Sequence, residues 1–377
     1  MSRPKPLVPF ASSLLLLAAI MPSAAIAGQL NITTFDLPGS TQTYVYGINS
    51  SGAAAGFYPD ATTMNHGFIR DAGGNITTID PSGSINTIVM ALNNSGAVGG
   101  HYVIGGDLGG RYHGFIRNPN GSFTSFNVSA AGDTFVTALN SKGTAGGDYF
   151  IGPGGSQFGG FIRDKKGNIT TFALPGNDAG TFVTAINRFG AVAGDYMSAD
   201  HPAYAGFIRD KNGNITTFEL PGTHAGTFVY ALNDHGAVAG FYDVAAGGQD
   251  HGFIRDAAGN IITIDPSGSI GTQVQALNNS GVAAGQFSDG ANVHGFIRDA
   301  DGNITIFDPP DSFRTFVTAI NDSGEVAGYY MDNSGVNHGF IATPEVPEPA
   351  SITLLGIGIA GIAGYAWRRR KAEKRNE

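Results

Sequence analysis

The 377-residue sequence contains no cysteine. Disulfides, thiol nucleophiles and cysteine-ligated zinc or iron–sulfur centres are therefore excluded. Export is not excluded with them, because a large repeat array needs no covalent staples. Charge is also scarce, and positive charge most of all. Residues 28–342 hold 13 Lys/Arg against 26 Asp/Glu, a net charge of −13. Such a body argues against nucleic acid, which rewards clustered Lys and Arg. It suits a soluble surface and, at acidic loops, cation binding. No Gly-x-Ser-x-Gly, His-Glu-x-x-His or phosphate loop is present, so no catalytic or metal-ligating residue is assigned.

What the chain has in abundance is glycine, 57 residues, and it falls at fixed places. Gly-Phe-Ile begins at Gly67, Gly114, Gly160, Gly206, Gly252, Gly295 and Gly339, at intervals of 47, 46, 46, 46, 43 and 44 residues. Seven copies of one unit make the chain an array. In the fifth copy, Phe253-Ile-Arg255 predicts a short strand a and Ile261–Ile264 a β-branched strand b. Thr272–Leu277 predicts strand c and Val282–Phe287 strand d. Asp256-Ala-Ala-Gly259 joins a to b, and Asn278-Asn-Ser-Gly281 joins c to d. The Asn-x-x-Gly form recurs in every c–d turn, from Asn49/Gly52 to Asn321/Gly324. An Asx side chain can hold a type I turn, and Gly three residues on accepts the left-handed backbone of a bulge. Sites such as Asn168-Ile-Thr170 read as turn chemistry followed by a Thr-rich strand, not as glycosylation signals.

Four antiparallel strands per unit cannot bury both faces alone, but seven units placed radially can. The prediction is an all-β, seven-bladed β-propeller of four-stranded, roughly 45-residue repeats over 28–342. An open solenoid or a string of sandwiches is the alternative. The first copy begins at strand b, Ile32–Phe35, and the last ends at strand a, Gly339–Ile341. If a and b share a sheet, these two segments must meet and close a ring, leaving no lone edge.

Both flanks differ from the array. Arg3 and Lys5, the apolar run Leu7–Ile20 and Ala25-Ile-Ala27 predict a signal peptide over 1–27, cleaved after Ala27. Pro344, Pro347 and Pro349 form an extended spacer within 343–350. Ala350–Trp367 is apolar, which predicts a transmembrane helix over 351–367. Residues 368–377 are a basic tail, in which Arg368, Arg369, Arg370 and Lys371 set a cytoplasmic end and an external array.

Val346-Pro347-Glu348-Pro349, followed by this span and basic cluster, resembles the PEP-CTERM sorting signal. That resemblance implies a Gram-negative exported protein, anchored transiently and then cut near the motif by an exosortase. Its destination would be the cell surface or the medium, in systems that accompany exopolysaccharide and biofilm. The four motif residues would be substrate, not catalyst. The array, through Gly-Phe-Ile-Arg-Asp and Ala-Ile/Leu-Asn-x-x-Gly-x-Val-Ala-Gly, resembles the HAF extracellular repeat family. Gly159 and Ala205 depart from its pattern where histidine is expected. The family implies an extracellular repeat protein with no agreed activity.

Repeated side chains are poor candidates for chemistry, which needs a singular constellation. His66, His113, His251, His294 and His338 are expected to cap turns or pair with a neighbouring blade. Arg70, Arg117, Arg163, Arg209, Arg255 and Arg298 are expected in ion pairs with the Asp or Asn beside them. The Phe of each Gly-Phe-Ile is expected in the core. Residues that break the repeat are His101, Asp107, Arg111, Asp148, Asp195, Asp200, His201, His224, His235 and Arg314. Loop acids Asp60, Asp243, Asp289 and Asp332 offer oxygen ligands for calcium, although loop solubility is the favoured reading. A noncatalytic surface or matrix protein, with polysaccharide as partner and no cofactor, is the expectation; a propeller glycan hydrolase or lyase is the rival.

Overall fold

A computed structural model describes residues 30–345, except 107–109, 131, 151–156, 175–179, 199–200, 221, 223–225 and 245–247. The expectations for Ala25 and Ala27, for Val346–Pro349, for 351–367 and for Arg368–Lys371 lie outside the described residues. Within them there are 28 strands and no helix.

The strands pair in one repeated order, c-d-a-b. Tyr44–Ile48, Ala54–Pro59, Asn65–Arg70 and Ile76–Ile79 form the first antiparallel sheet. Four more four-stranded sheets follow in sequence, and then an eight-stranded one. That last sheet has two halves of the same c-d-a-b order. They are joined by a single parallel pair, Val293 with Arg314. Its second half runs Ser312–Ile320, Val326–Asp332, Asn337–Pro344 and finally Leu30–Phe35. The first strand of the chain thus supplies the missing b of the last unit, in register from Leu30↔Pro344 to Phe35↔Gly339. Strand a of that unit extends two residues past the expected boundary at 342.

Each c strand lies against the c strands of both neighbouring sheets, and Tyr44–Ile48 lies against Ser312–Ile320, so the inner strands close on themselves. The fold is all-β and propeller-like. The reason is visible in the side chains. Four residues before each turn Asn stands a Val, from Val45 to Val317, and all seven are fully buried. So are the seven Phe of Gly-Phe-Ile, Phe68 to Phe340. Each core cluster takes residues from two adjacent sheets: Ile116 and Ala97 of one pack with Val136, Leu139 and Phe161 of the next. A buried Phe contributes about 2–3 kcal/mol, and here it does so only if the neighbour is present.

Strand d approaches c too closely for a side chain. A Cβ on Gly147 would stand 1.9 Å from the Phe135 carbonyl oxygen, and the same clash recurs at the matching glycine of every unit. The approach sits at a bulge in c, where the register shifts between Val136 and Ala138.

Candidate functional site

The two ends of the inner ring differ. At one end are the c–d and a–b turns. Each turn Asn is buried and does two jobs. Asn49 Oδ1 accepts the N–H of Ser51 and of Ala53, which holds its own turn. Asn49 Nδ2 donates to the Asn93 carbonyl of the next sheet. Asn93 repeats this to Asn140, Asn140 to Asn187, Asn187 to Asn233, Asn233 to Asn278 and Asn278 to Asn321. Asn321 donates back to Asn49 at 3.0 Å. All of these Asn but Asn49 line a polar mouth of about 210 Å³. Its rim is also internally bonded: Arg188 N–H to Asp234 Oδ1, Asp234 N–H to Asn279 Oδ1, and Asn279 N–H to Asp322 Oδ1. This end is built for closure. The sequence shows the Asn as a turn residue; nothing in the pattern reveals its second bond.

At the other end, where the c strands begin, the seven-fold pattern breaks. Five residues before the turn Asn stand Tyr44, Ile88, Phe135, Phe182, Phe228, Gln273 and Phe316, all half-buried. The aromatic run among them meets the residue two before Gly-Phe-Ile of the preceding sheet. Tyr112 meets Phe135 with ring centroids at 5.2 Å, Phe158 meets Phe182 at 5.0 Å and Tyr204 meets Phe228 at 4.8 Å. His101 and Phe241 extend this arc at its ends. Phe316, Tyr329, Tyr44 and Phe57 form a second arc. Between the arcs the rings give way to amides. Gln286 Nε2 donates to Gln273 Oε1, and Gln273 Nε2 to Asp250 Oδ2 at 2.8 Å. These three line a cavity of about 210 Å³ with Phe316, Phe287 and Val293. Gln286 Oε1 is buried there without a protein donor.

Asp148 and Asp195 sit just below the aromatic arc, on adjacent sheets, and both are buried. Thr137 Oγ1 donates to the Val183 carbonyl of the next sheet while Asp148 Oδ1 accepts the Val183 N–H. Thr184 and Asp195 grip Val229 in the same way. Burial pushes Asp195 up to about 7. It pushes Asp148 well above the carboxylate range, and Asp195 adds to the effect. Burial also lowers His101 to about 4. Each carboxylate is engaged by a backbone it helps to dock, which is a structural use of a residue type the sequence offers for chemistry.

Other expectations need correcting. The histidines pair with no other blade; His66, His294 and His338 do reach the turn acids Asp60, Asp289 and Asp332 through Nε2, but the shorter bond of each lies elsewhere. His66 Nδ1 meets Asp80 Oδ2 at 2.8 Å, and His251 and His294 meet Asp265 and Asp308 likewise. His113 meets Asn127, and His338 meets Asp36 across the closing pair. In every case this partner is the residue just past strand b of the same sheet, fourteen positions on for the four within one stretch of chain. Where Gly159 replaces the histidine, Ala173 replaces the acid. The arginines form no ion pair with the turn acid. Arg70 Nη1 donates to the Asp71 carbonyl, and its guanidinium lies 4.8 Å from the Phe35 ring of the neighbouring sheet. Arg163, Arg209 and Arg255 cover Phe126, Phe172 and Phe218 in the same way. For Arg117 and Arg298 the matching strand-b residue of the preceding unit is Ile79 or Ile264 and not an aromatic.

The loop acids are turn heads. Asp60 Oδ1 accepts the N–H of Thr62 and of Met64, and Oδ2 faces His66. Asp289 and Asp332 are held alike. Asp243 accepts the Gly226 N–H. Among the described residues no three His or acidic side chains gather as a metal site. Of the repeat-breaking residues, Arg111 donates to the Ala130 carbonyl and Arg314 lies over Phe313. The backbone of His235 is part of its turn. Asp107, Asp200 and His224, and the side chain of His201, are outside the description.

Residues 345–371 match the PEP-CTERM protein-sorting motif. The chain therefore carries the signal of an exosortase-sorted extracellular protein. No curated protein is significantly similar to it in sequence. In fold it is similar to the acylaminoacyl peptidase of Pyrococcus horikoshii, with a TM-score of 0.53 at 8% identity over 84% of this chain and 55% of that one. A puromycin hydrolase complexed with PGG gives 0.53 at 12% identity, over 81% and 55%. The Myceliophteria thermophila Cps50 (Swd1) beta-propeller domain gives 0.45 at 11% identity, over 83% and 99%. The chain spans little more than half the length of either hydrolase, and at these identities the likeness concerns fold alone.

Proposed function

We propose that this is a noncatalytic, exosortase-sorted surface or matrix protein of the HAF repeat type, whose seven-bladed propeller binds polysaccharide without a cofactor. The observation that carries the reading is the broken symmetry at the c-strand starts. Two aromatic arcs flank one notch of amides and a carboxylate. Flat apolar rings beside a few fixed polar groups suit sugar rings, which present apolar faces and hydroxyl edges. The buried Asp148 and Asp195, already bonded to backbone, speak for binding over hydrolysis. In this reading the tail is removed by a membrane processing enzyme and the propeller stays with exopolysaccharide outside the cell.

The test is incubation of the protein with the polysaccharide of its own host. Retention with no released oligosaccharide supports the reading. Released product supports a hydrolase or lyase, and neither retention nor product leaves only a spacer. Phe182→Ala and Gln273→Ala should each weaken retention about tenfold, equivalent to about 1.4 kcal/mol.

A further inference from the structure

We propose a second binding site at the opposite end of the propeller, specific for the carboxylate of an acidic saccharide. Positive charge is not spread evenly over this acidic body. Seven of the 13 Lys/Arg in residues 28–342 fall between Lys142 and Lys211. There they occupy the c–d and a–b turns and the strand-a ends beside them, in two neighbouring sheets, at the turn end. In the cleft between the first of these sheets and the one preceding it lies a cavity of about 290 Å³. It is lined by Lys142, Arg163 and Lys165 and by no carboxylate. Ser141 and Asn93 add polar groups, and Ile116 and Pro119 an apolar wall.

No other unit repeats this set. The position of Lys142 is Ser51, Ser95, Phe189, His235, Ser280 or Ser323 elsewhere. That of Lys165 is Ala72, Pro119, Lys211, Ala257 or Ala300. The two lysines are neighbours, since the Cβ of Lys165 lies 3.9 Å from where a Cβ on Gly143 would stand. Neither is ion-paired with the adjacent acid, Asp164, whose oxygens serve the turn. Asp164 Oδ1 accepts the N–H of Lys166 and Asn168, and Oδ2 accepts Asn168 Nδ2. Arg163 is fixed by stacking 4.8 Å above Phe126. Lys142 Nζ stands 5.8 Å from the Phe189 ring of the next sheet, and a fixed guanidinium beside two ammonium groups on flexible stems matches a carboxylate with room for its ring. The cavity's mixed polar and apolar wall fits a sugar ring better than a bare ion. The remaining body charge repels acidic polymers, so binding concentrates in this cleft.

The full-length chain, purified in detergent, is titrated calorimetrically with a short oligogalacturonate and, separately, with an uncharged glucose oligomer. We expect binding of the former only, weakening as salt rises. Lys142→Gln with Lys165→Gln should weaken it at least about tenfold. Lys142→Arg with Lys165→Arg should restore most of it, and Lys211→Gln, on the same face but outside the cavity, should change it less than about twofold. All these side chains are exposed, so unchanged melting temperatures should accompany every variant. Equal binding of the neutral oligomer would overturn the proposal, as would an unaffected double Gln variant or an equal loss in Lys211→Gln. So would displacement of the uronate by inorganic phosphate at equal concentration, or tighter binding to phosphatidylglycerol vesicles. The aromatic end is untouched by these substitutions, and its own test stands or falls separately.

Discussion

Asn321 and Asn49 are 272 positions apart in sequence, and the side-chain amide of the first donates to the carbonyl of the second at 3.0 Å. The same bond joins every other pair of neighbouring sheets. The ring seam is therefore chemically the same as its six internal joints. Asn→Asp separates the two jobs, because Asp keeps the acceptor that holds the turn and loses the donor to the next sheet. We expect Asn187→Asp to cost about 1–3 kcal/mol, from the unpaired buried carbonyl and the charge placed beside it. Asn187→Ala should cost more, since the turn goes too. Chemical denaturation measures both, and an Asn187→Asp variant as stable as the parent would show that the inter-sheet bond contributes nothing.

Removal of residues 28–35 takes strand b from the closing sheet and uncovers Phe340, Ile341 and Ala342. Core clusters are shared between sheets, so the loss should propagate. The expected result is one unfolding transition at a clearly lower temperature. A separate early transition of the last unit, with the rest unchanged, would show that closure does not couple the ring.

Two glycines separate conformational strain from collision. Gly190 has φ +86° and nothing within 4 Å of its missing Cβ. Gly190→Ala should cost about 1 kcal/mol and Gly190→Val about 1–3 kcal/mol, from backbone strain alone. At Gly147 an added Cβ meets the Phe135 carbonyl at 1.9 Å, and strands c and d must part. Gly147→Ala should cost more than about 4 kcal/mol or prevent folding. Comparable midpoints for the two Ala variants would refute the distinction.

The His–Asp pairs predict a pH profile. Hydrogen bonds from the Thr62 hydroxyl and the Met64 N–H, with help from His66, hold Asp60 at about 2. The Asn292 and Ala291 N–H groups do the same for Asp289, and Val336 and Ser334 for Asp332. These lowered values contribute stability above the ordinary carboxylate range near 4, lost as pH falls toward 2. Burial opposes the charge on His66 and His294, but their two Asp partners outweigh it and raise both. A raised histidine contributes fully below about 6.5 and loses its contribution as pH rises through the folded value. The melting temperature should peak between about pH 5 and 6. His66→Gln with His294→Gln should make the alkaline side shallower, the raised Asp148 and Asp195 supplying the slope that remains, and leave the acid side in place. An alkaline slope as steep as the parent's in that variant sinks the assignment.

Proline at 347 and 349 disfavours helix at Val346 and Glu348, which predicts an extended sorting motif that a membrane enzyme can engage. Changing Pro347 and Glu348 to Ala should leave export and insertion intact, because hydrophobicity and the Arg368–Lys371 charge drive those. It should block release and leave a full-length, membrane-bound form. Cell fractionation and C-terminal mass, with and without the host exosortase, read this out. An unaltered protein that keeps its Arg-rich tail in exosortase-positive cells would mean a plain anchor.

The architecture was legible because it is written seven times. Alternation, Asx–Gly turns and the unmatched first b and last a strands give the strand order and the partner of Leu30–Phe35. What remained hidden depends on juxtapositions between sheets. The residue partners of Asn49 Nδ2, Arg70 and Asp148 lie about one repeat away, and no local spacing names them. Periodicity also drew attention to residues that repeat, while the candidate faces are made where it lapses: Gln273 among aromatics, and Lys142 among serines. Aligning the copies against one another and reading the exceptions recovers both positions from sequence, although not the cavities beside them.

The strand Asn337–Pro344 is flanked on one side by Val326–Asp332 and on the other by Leu30–Phe35. It is also the strand that leads into the sorting segment. Any mechanical load carried by a tether there enters the ring through a strand held along both edges, so two ladders must yield before the attachment fails. A pull between Leu30 and Pro344 meets far less resistance, because these residues are opposite each other and their ladder opens one pair at a time. The fold is thus anisotropic under force, strong against a drag on its body and weak against a pull between its own ends.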